Sequence, residues 1–138
     1  MSSEDAQRRP EPTATYLLAG LIVLAFLLRF WRLGDWGFDS DETFTLRDSI
    51  NLNPSNPRPL LYLLNHYIVS PLVPLNELGL RLLPALFGVL AIPAFYFVAR
   101  RLVGTRAALF GALLLTFSSL HVYYSQFARY WTLVFLLS

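Results

Sequence analysis

The sequence predicts an all-α fold, a polytopic membrane helical bundle, from three observations. Hydrophobic residues make up 55% of the 138 residues and charged residues 14%, whereas about a quarter of the residues of a soluble domain are charged. Three apolar stretches approach the roughly 20 residues that a helix needs to cross a bilayer. A short turn rich in arginine, 100–106, separates the second stretch from the third, as expected for membrane helices joined by a tight cytoplasmic loop.

The N-terminal region divides into a tail and a first span. Residues 1–13 are polar, with Arg8 and Arg9, and are expected to form a disordered cytoplasmic tail ahead of a transmembrane domain at 14–138. The first predicted span, 14–31, is too long for a secretory signal and lacks a small-residue cleavage site. Because Arg8 and Arg9 favour the cytoplasm, we expect the following loop to lie outside, in a multi-pass protein of the cell membrane.

An aromatic and cationic collar ends this span. It consists of Arg29, Trp31, Arg32 and Trp36. Such residues anchor a helix at the membrane interface, where a long cationic side chain extends its charge into water. Binding of a lipid phosphate by the two arginines is the alternative interpretation.

The next loop holds the acidic turn, GFDSDETFT at residues 37–45, which carries three carboxylates. Acidic residues are costly at membrane depth and rarely collect beside a membrane without a function. Asp39 followed three residues later by Glu42 also fits an N-cap with an acid at the third helical position, which predicts a short helix to about Ile50. In a purely structural interpretation, Asp41 and Glu42 are simply favoured by the helix dipole.

The apolar stretch 60–75 is short and follows a proline-rich segment, 54–59. Asn65 and His66 interrupt it. If it crossed the membrane fully, the arginines of the turn 100–106 would lie outside, against the positive-inside bias. We therefore expect a re-entrant or juxtamembrane helix.

Two further full spans are predicted at 82–99 and 107–124, and a fourth begins at about Tyr130. Pro93 in the second span is tolerated where neighbouring helices satisfy the freed carbonyl. The third span contains small residues suited to close packing, namely Gly111, Ala112, Ser118 and Ser119. Because the fourth span has far fewer than the roughly 20 residues required, we expect an N-terminal fragment of a larger protein.

Composition excludes other classes of function. The net charge of +2 is small and scattered, so no nucleic-acid partner is expected. The absence of cysteine excludes disulfides and thiolate metal sites. His66 and His121 lie far apart in the sequence and are expected to be packed side chains more often than ligands. No metal-binding residues are predicted, although dependence on a divalent metal stays open.

Three segments together resemble the GT-C superfamily of integral-membrane glycosyltransferases, and glycosyltransferase family 39 in particular, the dolichyl-phosphate-mannose protein mannosyltransferase and aminoarabinose transferase-like group. The first, FDSDETFT at 38–45, is similar to that family's Asp-Glu loop. The second, PRPLLYLLNH at 57–66, resembles a His-Pro-Pro-Leu-Tyr-Tyr stretch, with Pro57 and Arg58 replacing the histidine and the first proline. The third combines LRLLPALFG at 80–88, RRLVG at 100–104 and HVYYSQFARY at 121–130.

The resemblance implies a polyprenyl-phosphate-linked sugar as donor, an extracytoplasmic hydroxyl as acceptor and Asp41 as general base, with Glu42 as its catalytic neighbour. A carboxylate is needed to take the proton of the attacking hydroxyl, and the departing phosphate needs positive charge or hydrogen-bond donors. Arginine binds phosphate in a bidentate way. The substrate-binding candidates are Asp39, Arg58, Arg81, Arg129 and His66.

Two alternatives stay open from the residues alone. Arg81 and Arg129 equally fit interfacial anchors. The chain could also be a non-enzymatic polytopic protein, such as a transporter part or an assembly subunit. Transporters usually carry ionisable groups at mid-membrane, whereas the second and third predicted spans contain none, which favours an enzyme with its site at the outer rim. We expect these residues alone to be inactive.

Overall fold

The computed structural model describes residues 12–52 and 59–138, and this part of the chain is helical without strands. The described helices are α1 Pro12–Phe30, α2 Ser40–Ile50, α3 Pro59–Leu64, α4 Glu77–Val103, α5 Thr105–Phe117, α6 Ser119–Ser125 and α7 Trp131–Leu137. The predicted all-α fold is confirmed. Most of the predicted N-terminal tail, 1–11, lies outside the described residues, and its last two residues already belong to α1.

Two helices, α1 and α4, are long and apolar enough to cross a membrane. A third candidate exists only if α5 and α6 are taken as one span bent by 60°. The bend lies at Ser118, whose backbone is extended and whose hydroxyl accepts a hydrogen bond from the backbone N–H of His121. The first two predicted spans therefore correspond to single helices, whereas the third corresponds to a bent pair of helices. The seven-residue α7 corresponds to the predicted start of a fourth.

The stretch predicted to be a re-entrant or juxtamembrane helix forms α3, which continues into one π-helical turn at Asn65–Val69. Its apolar part, Leu60–Val69, is too short to cross a bilayer. Two side chains of the π-helical turn hold it against the end of α2. The Asn65 amide donates to the Ser49 hydroxyl at 3.3 Å, and Nδ1 of His66 lies 2.8 Å from the Ser49 carbonyl oxygen.

The apolar core lies where α1, α4 and α5 meet, and small residues let these helices approach closely. Its buried residues are Leu18, Ala25, Ile92, Tyr96, Ala108 and Ala112. A methyl group at Gly111 would lie 2.7 Å from a ring carbon of Phe95, and one at Gly88 would lie 2.1 Å from the hydroxyl of Ser125. The predicted role of Gly111 and Ala112 in close packing is confirmed.

Candidate functional site

The acidic turn begins α2 with the capping box predicted from Asp39 and Glu42. The Asp39 carboxylate accepts from backbone N–H groups of the first turn, and the Glu42 carboxylate accepts from the Asp39 N–H at 3.1 Å. These bonds satisfy donors that have no partner within the helix. Local sequence thus fixes the conformation of the turn.

Glu42 forms a bidentate ion pair with Arg81 of α4. Nε and Nη2 of Arg81 lie 2.8 and 2.6 Å from the two carboxylate oxygens, and the side chains are 1% and 3% exposed. The backbone N–H of Ala128, in the turn before α7, also donates to Glu42 at 2.8 Å. Glu42 therefore joins α2, α4 and the turn after α6.

The pKa of Glu42 follows from this environment. Burial raises it, but hydrogen bonds from Arg81, Ala128 and Asp39 and the charge of Arg81 outweigh burial, so the pKa lies below the ordinary value of 4.5. The carboxylate is thus ionised at neutral pH. Since it already accepts four hydrogen bonds, its catalytic role stays a prediction.

The other N–H groups of Arg81 donate hydrogen bonds to the loop that precedes α2. Nη1 donates to the carbonyls of Leu33 and Trp36 at 3.1 and 2.9 Å, and Nη2 donates to that of Gly37 at 3.1 Å. All five guanidinium N–H groups therefore have protein acceptors. To bind a substrate phosphate, Arg81 would have to exchange one of these bonds, and its predicted substrate contact stays a prediction.

Asp41 lies next to Glu42 in the chain but in a different environment. Its side chain is 54% exposed, and its carboxylate lies 3.3 Å from Nη2 of Arg129, whose side chain is 17% exposed. Nη1 of Arg129 also donates to the Asp41 carbonyl at 3.4 Å. An ion pair this open to water is weak. Of the two neighbouring acids, Asp41 is therefore the one whose carboxylate is available to accept a proton.

A cavity of about 590 Å³ opens beside the acidic turn. Its polar lining includes Asp39, Glu42, Arg81, Ser119 and Gln126, and its apolar walls include Leu28, Phe117, Val122, Tyr123 and Phe127. Asp41 and Arg129 are not among the lining residues. A lining that combines charged side chains with apolar walls suits an amphiphilic molecule better than a fully polar one.

Gln126 is a cavity residue that the sequence analysis missed. Its side-chain amide nitrogen lies 3.2, 3.3 and 3.1 Å from the carbonyl oxygens of Leu28, Arg29 and Trp31. It therefore satisfies carbonyls at the end of α1 that have no partner within the helix. The sequence feature that could have identified Gln126 is its position as a polar residue in the predicted outer turn 125–129, on the side of the membrane where the first span ends.

The predicted interfacial anchoring of Arg29 is wrong. Its side chain is fully buried in the bundle, and it donates to backbone carbonyls of α1 and α5. An arginine at the end of an apolar run reaches water only if no neighbouring helix covers it, and here α5 and α6 do. By contrast, Arg32 is exposed and pairs with Asp35 at 2.6 Å, as an interfacial side chain would.

Two other predicted residues lie away from the acidic turn or outside the described part. His66 contacts the far end of α2 through Ser49, so its role in substrate binding stays a prediction. Arg58 lies outside the described residues. Among the residues that the structure describes, no group of three or more His, Asp and Glu side chains is placed to hold a metal ion.

Comparison with known families agrees with the resemblance seen in the motifs. Residues 58–137 match the profile of a family described as dolichyl-phosphate-mannose-protein mannosyltransferase. The matched segment covers more than half of the chain and includes Arg81, Ala128 and Arg129, but it begins after the acidic turn. No curated protein and no solved structure gives a significant match. The chain belongs to the dolichyl-phosphate-mannose-protein mannosyltransferase family, a family of membrane glycosyltransferases.

Proposed function

We propose that the full-length protein transfers a glycosyl unit from a polyprenyl-phosphate-linked sugar to an acceptor hydroxyl outside the cytoplasm. Membership of the family supports a membrane mannosyltransferase-type activity and a lipid-linked donor. The observation that carries the proposal is the exposed carboxylate of Asp41, presented beside the buried Glu42–Arg81 pair.

Asp41 is the general base of this proposal. The acceptor oxygen attacks the anomeric carbon, the bond from that carbon to the phosphate oxygen breaks, and the hydroxyl proton passes to the Asp41 carboxylate. The bonding electrons leave with the lipid phosphate. Glu42 is unsuited to the same task, because Arg81, Ala128 and Asp39 occupy its oxygens and its pKa lies below the ordinary value. Its role is to position the turn.

Arg129 is the proposed contact for the departing phosphate. It lies beside Asp41, and its planar guanidinium carries the positive charge and paired donors that a phosphate requires. A phosphate that bound Arg129 would also draw it away from Asp41. The 590 Å³ cavity, with its apolar walls from α1, α5 and α6, is the proposed place for the first part of the lipid chain.

The proposal also fixes an orientation in the cell membrane. Arg8 and Arg9 lie on the cytoplasmic side, and the acidic turn lies on the opposite side. The arginines of the turn 100–106, between α4 and α5, then also face the cytoplasm. The acceptor class, whether protein, lipid or glycan, is left to experiment.

Transfer from a labelled polyprenyl-phosphate sugar, measured with the full-length protein, tests the role of Asp41. Asp41→Asn should lower turnover by about 100-fold to 10,000-fold, the range typical of a lost general base. Asp35→Asn is a matched control, because Asp35 is also an exposed loop acid paired with an arginine. Near wild-type turnover of folded Asp41→Asn would remove Asp41 from the mechanism.

A further inference from the structure

A second cavity, of about 230 Å³, lies between α5, α6 and α7 and shares no lining residue with the cavity at the acidic turn. Its walls are largely apolar and aromatic. They comprise Leu115, Leu120, Tyr124, Trp131 and Phe135, with Ser118, His121 and Thr132 as polar members. The Thr132 hydroxyl is bonded to the Pro84 carbonyl at 3.0 Å, and the Ser118 hydroxyl accepts from the His121 backbone.

His121, a lining residue of this cavity, contacts the buried guanidinium of Arg29. The guanidinium donates to the carbonyls of Ala25, Leu115 and Thr116 at 3.2 to 3.5 Å and lies 2.9 Å from Nδ1 of His121. No carboxylate in the described part of the chain pairs with it. Buried charges normally have a counter-charge, whereas here the hydrogen-bond acceptors are the Ala25 carbonyl of α1 and two carbonyls at the negative end of the α5 dipole.

The contact with Arg29 determines the tautomer of His121. A guanidinium can only donate hydrogen bonds, so Nδ1 of His121 must accept, and the ring proton must lie on Nε2. His121 is 9% exposed, and its Nε2 is buried without a hydrogen-bond partner among the described residues. His121, one of the residues that line the cavity, thus carries a buried N–H donor without an acceptor and contacts a positive charge that no carboxylate in the described part pairs with.

We propose that this cavity binds a phosphodiester oxygen of an anionic membrane lipid, with His121 Nε2–H as the donor and Arg29 as the counter-charge. The unused donor requires an oxygen acceptor, and the guanidinium favours an anionic one. Leu120, Trp131 and Phe135 line the cavity and are 65%, 45% and 44% exposed, on helices expected to lie in the membrane. Such walls suit acyl chains, and tryptophan favours the headgroup boundary. The proposal is independent of the transfer reaction.

Nitrogen-15 labelling of histidine tests this directly, because the chain contains only two histidines. The full chain is purified in a detergent with a neutral sugar headgroup, and the ring signals are assigned with His66→Gln. His66 is the internal control. Its Nδ1 contacts a carbonyl oxygen, which can only accept, so His66 carries its proton on Nδ1 and has the opposite tautomer from His121.

Phosphatidylglycerol, diacylglycerol with the same acyl chains and inorganic phosphate are then added in turn. We expect a saturable downfield shift of the His121 Nε2 proton with phosphatidylglycerol alone, and unchanged His66 signals. In native mass spectrometry, His121→Phe should retain phosphatidylglycerol at least tenfold less well than the wild-type chain. A shift that inorganic phosphate or diacylglycerol reproduces would overturn the assignment to an anionic lipid. An Nδ1–H tautomer at His121 would overturn the site itself. So would an Nε2 proton signal that does not change when lipid is added, because the Phe135 ring, whose centroid lies 4.9 Å from that of His121, would then be the partner of the N–H group.

Discussion

Replacing Glu42 with glutamine removes one negative charge from the acidic turn while nearly preserving the shape of the side chain. The substituted amide nitrogen cannot accept, so the variant loses the bonds that one carboxylate oxygen receives. If that oxygen is Oε2, these are the bonds from Nη2 of Arg81 and the backbone of Asp39. Arg81, only 3% exposed, is then left as a buried cation without a counter-charge.

The burial of the pair sets the expected magnitude. Breaking a buried ion pair by removing one partner costs about 3–5 kcal/mol of unfolding free energy. The exposed pair of Asp41 and Arg129 should contribute at most about 1 kcal/mol. Glu42→Gln should therefore be strongly destabilising and Asp41→Asn nearly neutral, although the two residues are adjacent.

Unfolding of the detergent-solubilised chain by dodecyl sulfate, followed by circular dichroism, measures both variants. An Arg81→Met variant completes a double-mutant cycle. Because Glu42 and Arg81 share two hydrogen bonds, the double variant should cost about 1–3 kcal/mol less than the sum of the single variants. A Glu42→Gln variant within 1 kcal/mol of the wild type, or strictly additive effects, would refute the structural role given to this pair.

Three further predictions concern stability in the same unfolding assay. The pKa of Glu42 is lower in the folded chain than its ordinary 4.5. The stability that the Glu42 carboxylate contributes should therefore be complete above about pH 4.5 and be lost as the pH falls through the pKa of the folded chain. A Glu42→Gln variant should lack this pH-dependent loss. Gly88→Ala should cost about 1–3 kcal/mol, because its methyl group would lie 2.1 Å from the Ser125 hydroxyl, whereas Gly20→Ala, with no atom within 4 Å, should cost nothing. Gln126→Ala should cost about 1 kcal/mol through the lost cap of α1, and full stability would contradict that role.

The features that sequence reasoning predicted correctly depend on nearby residues. The capping box needs only Asp39 and Glu42, three positions apart, and it is present in the structure. The apolar stretches at 14–31 and 82–99 correspond to α1 and α4, because length and hydropathy determine whether a helix can span a membrane. The short stretch that opens with α3 was likewise recognised as non-spanning.

The features that it could not predict depend on contacts between distant parts of the chain. Glu42 meets Arg81 and Ala128 across 39 and 86 positions, and no local pattern distinguishes a paired arginine from an interfacial one. Arg29 illustrates the same limit, since only the packing of α5 and α6 buries it. The break of the third span at Ser118 also escaped prediction, because a serine is compatible with a continuous membrane helix.

The two neighbouring acids of the turn show how the fold gives adjacent residues different environments, one of which suits the proposed base. Successive residues of a helix point about 100° apart, so when α2 turns Glu42 towards α4, Asp41 is left facing Arg129 and water. A mobile base would lose the geometry that proton transfer requires, and a fully buried one would have no acceptor to deprotonate. The buried pair of Glu42 and Arg81 meets the first requirement and the exposure of Asp41 meets the second. An Asp-Glu pair at the start of a helix, with a distant arginine that holds the glutamate, therefore anchors the backbone of the turn and leaves the aspartate exposed for the proposed proton transfer.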